Sequence, residues 1–228
     1  MNENVDYYGY TKWSLLSGVS LRARKDMFSL FMDTMAPGPS SRVLDVGANC
    51  DNDRQESNFF EKFYPYKDRI TAASIEDAGA LEDIYKGLKF VRLKEGEGLP
   101  FADDEFDITF SNAVVEHVGS RERQRDFVRD VVRVGKKSFI SVPYRYFPVE
   151  HHTGLPFIHW LPQDLHRNIL RLIGRDLYAT EGRLNLISKE DFRGFFPPDI
   201  RLSLRSVKVF IFPSNLVAVV EKGQPHAK

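Results

Sequence analysis

The stretch Arg42-Val43-Leu44-Asp45-Val46-Gly47-Ala48-Asn49-Cys50-Asp51 decides the reading of this chain. Its apolar run is short enough for a buried strand, and it ends on a carboxylate followed by a glycine, where the backbone can turn sharply. Upstream, Pro37-Gly38-Pro39 breaks a helical pattern in which Leu21, Met27, Phe28, Phe31, Met32 and Met35 recur at the spacing of one buried face. Downstream the period alternates. Residues 70–75, 90–93, 106–110 and 138–142 read as strands, and 57–64, 78–85 and 121–134 as helices, with Gly135 placed as a C-cap glycine. Short apolar strands separated by helices indicate a parallel sheet covered on both faces.

The tail differs. Strand candidates 201–211 and 216–221 are separated only by Phe212-Pro213-Ser214-Asn215, too tight a link for a parallel crossover, so this pair is expected to be antiparallel. The fold expected is α/β, with a Rossmann-like, seven-stranded, mostly parallel sheet, helices on both faces and a C-terminal antiparallel hairpin. Residues 1–40 are expected as an N-terminal helical cap or lid on a domain spanning 41–228, with 143–187 as an acceptor-side insertion. A helix start at Pro162 with Leu165, Ile169, Leu172 and Ile173 reads as a buried stripe, and 188–191 as a capping box.

Composition narrows the classes. Among 228 residues, 32 basic side chains balance 32 acidic ones, which argues against a nucleic-acid-coating protein. The single cysteine, Cys50, excludes an internal disulfide framework. No apolar run is long enough to cross a membrane and the first residues are polar, so a cytoplasmic protein without stable membrane insertion is expected.

In an open α/β sheet the ligand lies at the C-terminal strand ends. Those ends carry Gly47-Ala48-Asn49, Glu76-Asp77, Glu95-Gly96, Ser111-Asn112-Ala113 with Glu116-His117, and Pro143-Tyr144-Arg145-Tyr146. A dinucleotide site would need glycines where Asn49 and Asn52 stand, and no phosphate loop is present. Asp45, Glu76 and Glu95 instead form an acceptor-rich rim, suited to a cationic nucleoside bearing an amine and ribose hydroxyls. S-adenosylmethionine matches that description.

Three stretches at this order and spacing carry a family resemblance: Val43-Leu44-Asp45-Val46-Gly47, Leu99-Pro100-Phe101-Ala102-Asp103-Asp104-Glu105-Phe106-Asp107, and Ser111-Asn112-Ala113-Val114-Val115-Glu116-His117-Val118. Through them the chain resembles class I S-adenosylmethionine-dependent methyltransferases of the small-molecule type, from about residue 42 to 143. Phe147-Pro148-Val149-Glu150-His151-His152-Thr153-Gly154-Leu155-Pro156 and Ile158-His159-Trp160-Leu161-Pro162 resemble a subgroup associated with bacterial polysaccharide or glycolipid biosynthesis. The resemblance implies that Asp45, Gly47, Ala48 and Asn49 hold the methionine end, Glu76 with Asp77 the ribose, and Glu95 with Gly96 the adenine. It implies further that Ser111, Asn112 and Ala113 lie along the cofactor. Gly47 and Glu76 are 29 positions apart, against about 20 in the related dinucleotide arrangement, so 52–66 reads as an insertion whose Arg54 or Asn58 replaces lost contacts to the methionine carboxylate.

Catalytic candidates are His117, beside the expected transferable methyl, and His152 oriented by Glu150. Aromatics Tyr144, Tyr146 and Phe147, with Tyr7, Tyr8 and Trp13 as a lid, are the candidate acceptor pocket. A metal is not expected, because neighbours His151 and His152 point to opposite sides of an extended segment. The function expected is methyl transfer to a small-molecule or glycan-type acceptor, more readily a hydroxyl. N-methylation of a small amine and a non-catalytic cofactor-binding partner stay open.

Overall fold

The strand order is β3-β2-β1-β4-β5-β7-β6, a seven-stranded sheet in which β7 alone runs against the other six strands. The structure is a computed structural model and describes the backbone of residues 14–50 and 57–223, with side chains from residue 20 onward. The parallel strands are β1 (Val43–Val46), β2 (Ile70–Ser74), β3 (Lys89–Arg92), β4 (Phe106–Asn112) and β5 (Gly135–Pro143). β6 (Arg201–Val209) and β7 (Phe212–Glu221) form the hairpin, β7 pairing antiparallel to β5. Strand order reverses between β1 and β4, which places the binding crevice at their C-terminal ends.

Period-two alternation sorts the strands onto two cores. Val43, Ile108, Phe110, Phe139, Val217 and Val219 face one side, where α1 (Ser14–Met35), α2 (Phe59–Phe63) and α3 (Ala80–Ile84) pack. Leu44, Val46, Ile140, Val142 and Ala218 face the other, against α4 (Arg121–Val134) and α6 (Lys189–Gly194). The helical segment expected as part of a cap buries Ala23, Met27, Phe31 and Met35 at four-residue spacing, and so forms a layer of the sheet. Phe31 meets Phe60, Phe110 and Phe139 edge-on at 5.1, 5.5 and 5.5 Å.

Two sequence expectations, the hairpin turn and the α5 stripe, need correction. The hairpin turn lies at Phe210 and Ile211, with Phe210 in the left-handed region (φ 55°), while 212–215 belong to β7. Gly135 is the C-cap residue of α4 as expected, but it is extended and begins β5; a side chain there would crowd Thr109 at 2.7 Å and the Lys137 carbonyl at 2.8 Å. On α5 (Gln163–Leu172) the buried positions are His166 and Leu170, whereas Leu165, Leu172 and Ile173 are exposed. The capping box at Ser188 and Asp191 is present as expected.

The acidic motif before β4 is held by Arg133 of α4. Its guanidinium donates to the Leu99 and Phe101 carbonyls at 3.0 and 2.8 Å and to Asp103 and Asp130 at 2.8 and 2.7 Å. This motif lies at the N-terminal end of β4, away from the crevice, and its role is structural. Arg133→Ala is expected to cost about 2 kcal/mol, because charge-assisted bonds to two backbone carbonyls are lost together. That is a fall of roughly 4–8 °C in Tm. Lys94→Ala, which removes only an exposed pair with Glu97 at 3.5 Å, is expected to shift stability by less than about 0.5 kcal/mol. Equal shifts in thermal melts of the two variants would contradict this.

Candidate active site

Asp45 points from the last turn of β1 toward α2 and is almost fully buried. What it meets there is Glu61, itself fully buried, with neither carboxylate oxygen accepting a hydrogen bond among the described residues. Burial, and then the neighbouring Glu61 carboxyl, push the Asp45 carboxyl well above the usual carboxylate range. Two carboxyls buried side by side share a proton or await a cation. Sequence reading missed Glu61. The signal was an acid enclosed by Phe59, Phe60 and Phe63 on a single helical turn, where an exposed acid has no place.

The first loop is built from neighbouring strands. Gly47 has φ 108° and donates to the Ala73 carbonyl at 2.8 Å. A Cβ there would come within 2.2 Å of Val114, so glycine is required for the loop after β4 to approach. Ala48 is buried in the core. Asn49 is held by Asn58, whose side chain accepts from its backbone N–H at 2.8 Å and donates to its carbonyl at 2.9 Å. The Asn58 amide thus braces the loop through both its donor and its acceptor. The Cys50 N–H reaches the Glu76 carboxylate at 3.4 Å, so the tips of β1 and β2 meet.

The remaining cofactor candidates divide. Asp77 accepts from the Gly79 N–H at 3.2 Å and starts α3. Glu95 and Gly96 are exposed in the turn after β3 and nothing orients them inward. The Ser111 hydroxyl is buried and donates to the Val46 carbonyl at 3.0 Å, a bond between strands that leaves it no contact with a ligand. Asn112 accepts from the Ser141 hydroxyl at 2.7 Å, and Ala113 (φ 56°) turns the chain out of β4.

That turn leads into a cluster of titratable groups on the acceptor side. Glu116 and His117 lie on the 3-10 turn Val115–His117, and Glu116 is fully buried with both oxygens unpartnered among the described residues. The His117 and His152 rings lie edge to face with centroids 4.9 Å apart. His152 Nδ1 bonds to Glu150 Oε1 at 2.7 Å, as the sequence expectation for that pair has it. Glu150 also accepts the His152 and Thr153 backbone N–H groups at 3.0 and 2.6 Å. Burial works against charge on both partners of this pair, but the attraction overrides it: Glu150 is held far below the usual range and His152 is raised. His117 is pushed down to about 3 by burial and by His152, so it is neutral at pH 7. Burial lifts Glu116 to about 7, with His152 opposing.

Two residues absent from the sequence reading position this cluster. The Arg183 carbonyl lies 2.6 Å from His117 Nδ1, and Asn185 donates its backbone N–H to the Glu116 carbonyl at 2.8 Å. Their segment is pinned to α4 by Arg121, which reaches the Leu186 carbonyl at 2.6 Å. No local motif could have announced backbone groups acting across about 66 positions.

Beyond it lie the expected acceptor aromatics. Tyr144 meets Tyr146 edge-on at 5.6 Å, and Phe147 stacks on His151 at 5.0 Å. Phe157 and Trp160 join them as exposed rings. Tyr7, Tyr8, Trp13 and Arg54 lie outside the described residues.

The architecture is that of the Rossmann-like class I methyltransferases. Within it, residues 67–139 match the family model described as a methyltransferase domain. Among solved structures, the YcgJ protein of Bacillus subtilis matches at TM-score 0.56 and 14% identity, over 88% of this chain and 100% of that one. A 1,6-didemethyltoxoflavin N1-methyltransferase of Burkholderia thailandensis, with S-adenosylhomocysteine bound, matches at TM-score 0.55 and 14% identity, over 89% and 79%. Magnesium protoporphyrin IX methyltransferase of Synechocystis matches at TM-score 0.57 and 11% identity, over 95% and 91%. A search by sequence among curated proteins found no match.

The cofactor that this fold and domain imply is S-adenosylmethionine, and the residues present fit it. An ammonium would find an acceptor in Glu61, whose carboxylate oxygens accept no hydrogen bond among the described residues, beside the buried Asp45, and the half-buried Glu76 carboxylate at the tip of β2 suits ribose hydroxyls. Among the described residues, no helix is long and apolar enough to cross a membrane.

Proposed function

We propose that this chain catalyses methyl transfer from S-adenosylmethionine to a hydroxyl of a small-molecule or glycan-type acceptor. The observation that carries the reading is the pair of buried carboxyls at the tip of β1, next to a second buried cluster at the exit of β4. The first is suited to a cationic amino-acid moiety, the second to an acceptor that must lose a proton. When bound, the cofactor supplies an electrophilic methyl on sulfur; the acceptor oxygen gains it, the sulfur leaves as a thioether and the hydroxyl proton is released.

The chain's part is alignment, exclusion of water and management of that proton. Asp45 and Glu61 bind the ammonium, Glu76 the ribose, and Asn58 with Gly47 fix the loop between them. The cluster of Glu116, His117, Glu150 and His152 faces the acceptor oxygen. A neutral amine acceptor needs no such cluster, which is why a hydroxyl is favoured. The exposed rings of Tyr146, Phe157 and Trp160 support an acceptor with flat apolar faces, as sugars have.

His117→Asn tests the proposal cleanly, because the amide still donates to the Arg183 carbonyl while the second ring nitrogen is gone. Methyl-tritiated cofactor is supplied with fractionated cell extract. Turnover in the variant is expected to fall by roughly 10²–10⁴-fold, with S-adenosylhomocysteine affinity within about threefold of wild type. Full turnover in the variant would remove the cluster from the mechanism. Absence of label transfer by the wild type, with the nucleoside still bound, would favour a non-catalytic binding protein.

A further inference from the structure

We infer that Glu116, His117 and His152 form a binding site for a first-row divalent cation. One donor atom from each lies within 4.8 Å of the other two, and His117 Nε2 is 3.9 Å from Glu116 Oε1. The inference goes beyond methyl transfer as such: it says how the acceptor side of that proposed site holds an oxygen.

Three observations converge. The first is the Glu116 carboxylate, 1% exposed with both oxygens unpartnered among the described residues. Burying a carboxylate without a donor is costly, and the expense is tolerated where a cation occupies the site. Arg24 is the nearby cation, but its guanidinium lies over the Phe59 ring, 5.2 Å from the centroid, and gives Glu116 no hydrogen bond.

The second is the engagement of the imidazoles. His117 Nδ1 faces the Arg183 carbonyl at 2.6 Å, which can only accept, so that nitrogen carries the proton and Nε2 keeps its lone pair. His152 Nδ1 faces the Glu150 carboxylate at 2.7 Å, so Nε2 is the nitrogen left to ligate an ion, which would displace any proton carried there. A ligating imidazole almost always gives its other N–H to a carbonyl or carboxylate, which fixes its tautomer and orientation. Here one ring uses each kind of partner.

The third is rigidity. Glu150 is clamped by two backbone N–H groups, and the Glu116 carbonyl by the Asn185 N–H. The donors therefore sit on backbone fixed from both sides of the crevice. A four-coordinate ion with bonds of about 2.0–2.1 Å needs donors roughly 3.3 Å apart, closer than the 4.8 Å within which these atoms lie, so binding draws the three groups together.

The donor chemistry sets the ligand class. Two imidazoles and one carboxylate suit zinc, cobalt, manganese or iron in the divalent state, and disfavour magnesium and calcium, which take oxygen ligands. Three protein ligands leave an open position, the arrangement of a catalytic site. An acceptor hydroxyl bound there would give up its proton more readily. The ligand set differs from the neighbouring pair His151 and His152 that the sequence brings to mind, since His151 is exposed and stacks on Phe147.

The test uses full-length protein, freed of any affinity tag and treated with chelator, then titrated with cobalt(II) and with zinc(II) by absorption and calorimetry. One ion per chain is expected, with ligand-field bands for cobalt. Glu116→Gln, which keeps the shape and removes the charge, is expected to weaken binding at least about 100-fold. Glu150→Gln should weaken it about 10–100-fold by removing the carboxylate that orients His152, and His151→Ala should leave it unchanged. S-adenosylhomocysteine binding, measured in parallel, reports folding and the cofactor side separately. Absence of one-to-one binding by the wild type, or undiminished binding by a folded Glu116→Gln, overturns the ion site while leaving the methyl-transfer reading intact.

Discussion

Asp45→Asn is expected to weaken S-adenosylhomocysteine binding by roughly 30- to 5,000-fold, the equivalent of losing one partner of a buried charge pair at about 2–5 kcal/mol. The same variant should be more stable without ligand. Its amide N–H can donate to the Glu61 carboxylate that now lacks a donor, a gain of about 1–2 kcal/mol. The sign of the pH dependence follows from the raised Asp45 carboxyl. A raised folded-state pKa contributes stability that is complete below the unfolded value of about 3.9 and is lost as pH climbs through the raised one. The stability advantage of the variant therefore widens from acid toward neutral pH. Binding of the ammonium to wild type releases the shared proton, so affinity rises with pH there and stays flat in the variant. Calorimetry in buffers of different ionisation enthalpy reads that proton. Tight, pH-independent binding by Asp45→Asn would remove this residue from the site.

The largest stability effect is expected from Phe110→Ala, at about 3–5 kcal/mol. Phe110 is 1% exposed on β4, between both sides of the first core. It stacks on Phe60 at 4.3 Å and on Phe139 at 5.6 Å, and meets Phe31 and Phe59 edge-on at 5.5 and 5.9 Å. Removing the ring leaves a cavity that β-sheet backbone on one side and three helices on the other cannot close. Because Phe60 neighbours Glu61, the variant should also loosen the cofactor loop. Denaturant melts with an unchanged m-value and a lowered midpoint would support this; a loss below about 1.5 kcal/mol would show that the aromatic cluster repacks.

The fold was legible where periodicity and punctuation agreed. The helix over 121–134 was read to its ends from its inward apolar stripe and Gly135 after it, and the structure adds a Ser120 N-cap. The β6–β7 pair was read as antiparallel from the shortness of its link, though the turn itself lies at Phe210 and Ile211, because Pro213 was taken as punctuation and is instead a strand residue next to a bulge. The α5 stripe failed for a different reason: helical spacing marks an apolar face but does not say that another element covers it.

In the proposed site, Asp45, Gly47 and Glu76 were singled out by their place at strand ends, and the structure sets all three at the tips of β1 and β2. Glu61, Arg183 and Asn185 were not, because each acts on a group far away in the chain. Asn58 was singled out for its polarity; its two bonds to Asn49 are a feature of loop geometry that composition does not carry. Ser111 was misassigned because inward and outward faces of a strand end look alike when the sheet's neighbours are unknown.

A crystal structure with S-adenosylhomocysteine bound tests the central claim most directly. The account predicts the ammonium against Asp45 and Glu61, ribose hydroxyls at Glu76, and the sulfur turned toward Glu116, His117 and His152. An empty crevice at millimolar nucleoside, or a nucleoside seated away from the tips of β1 and β2, would contradict it.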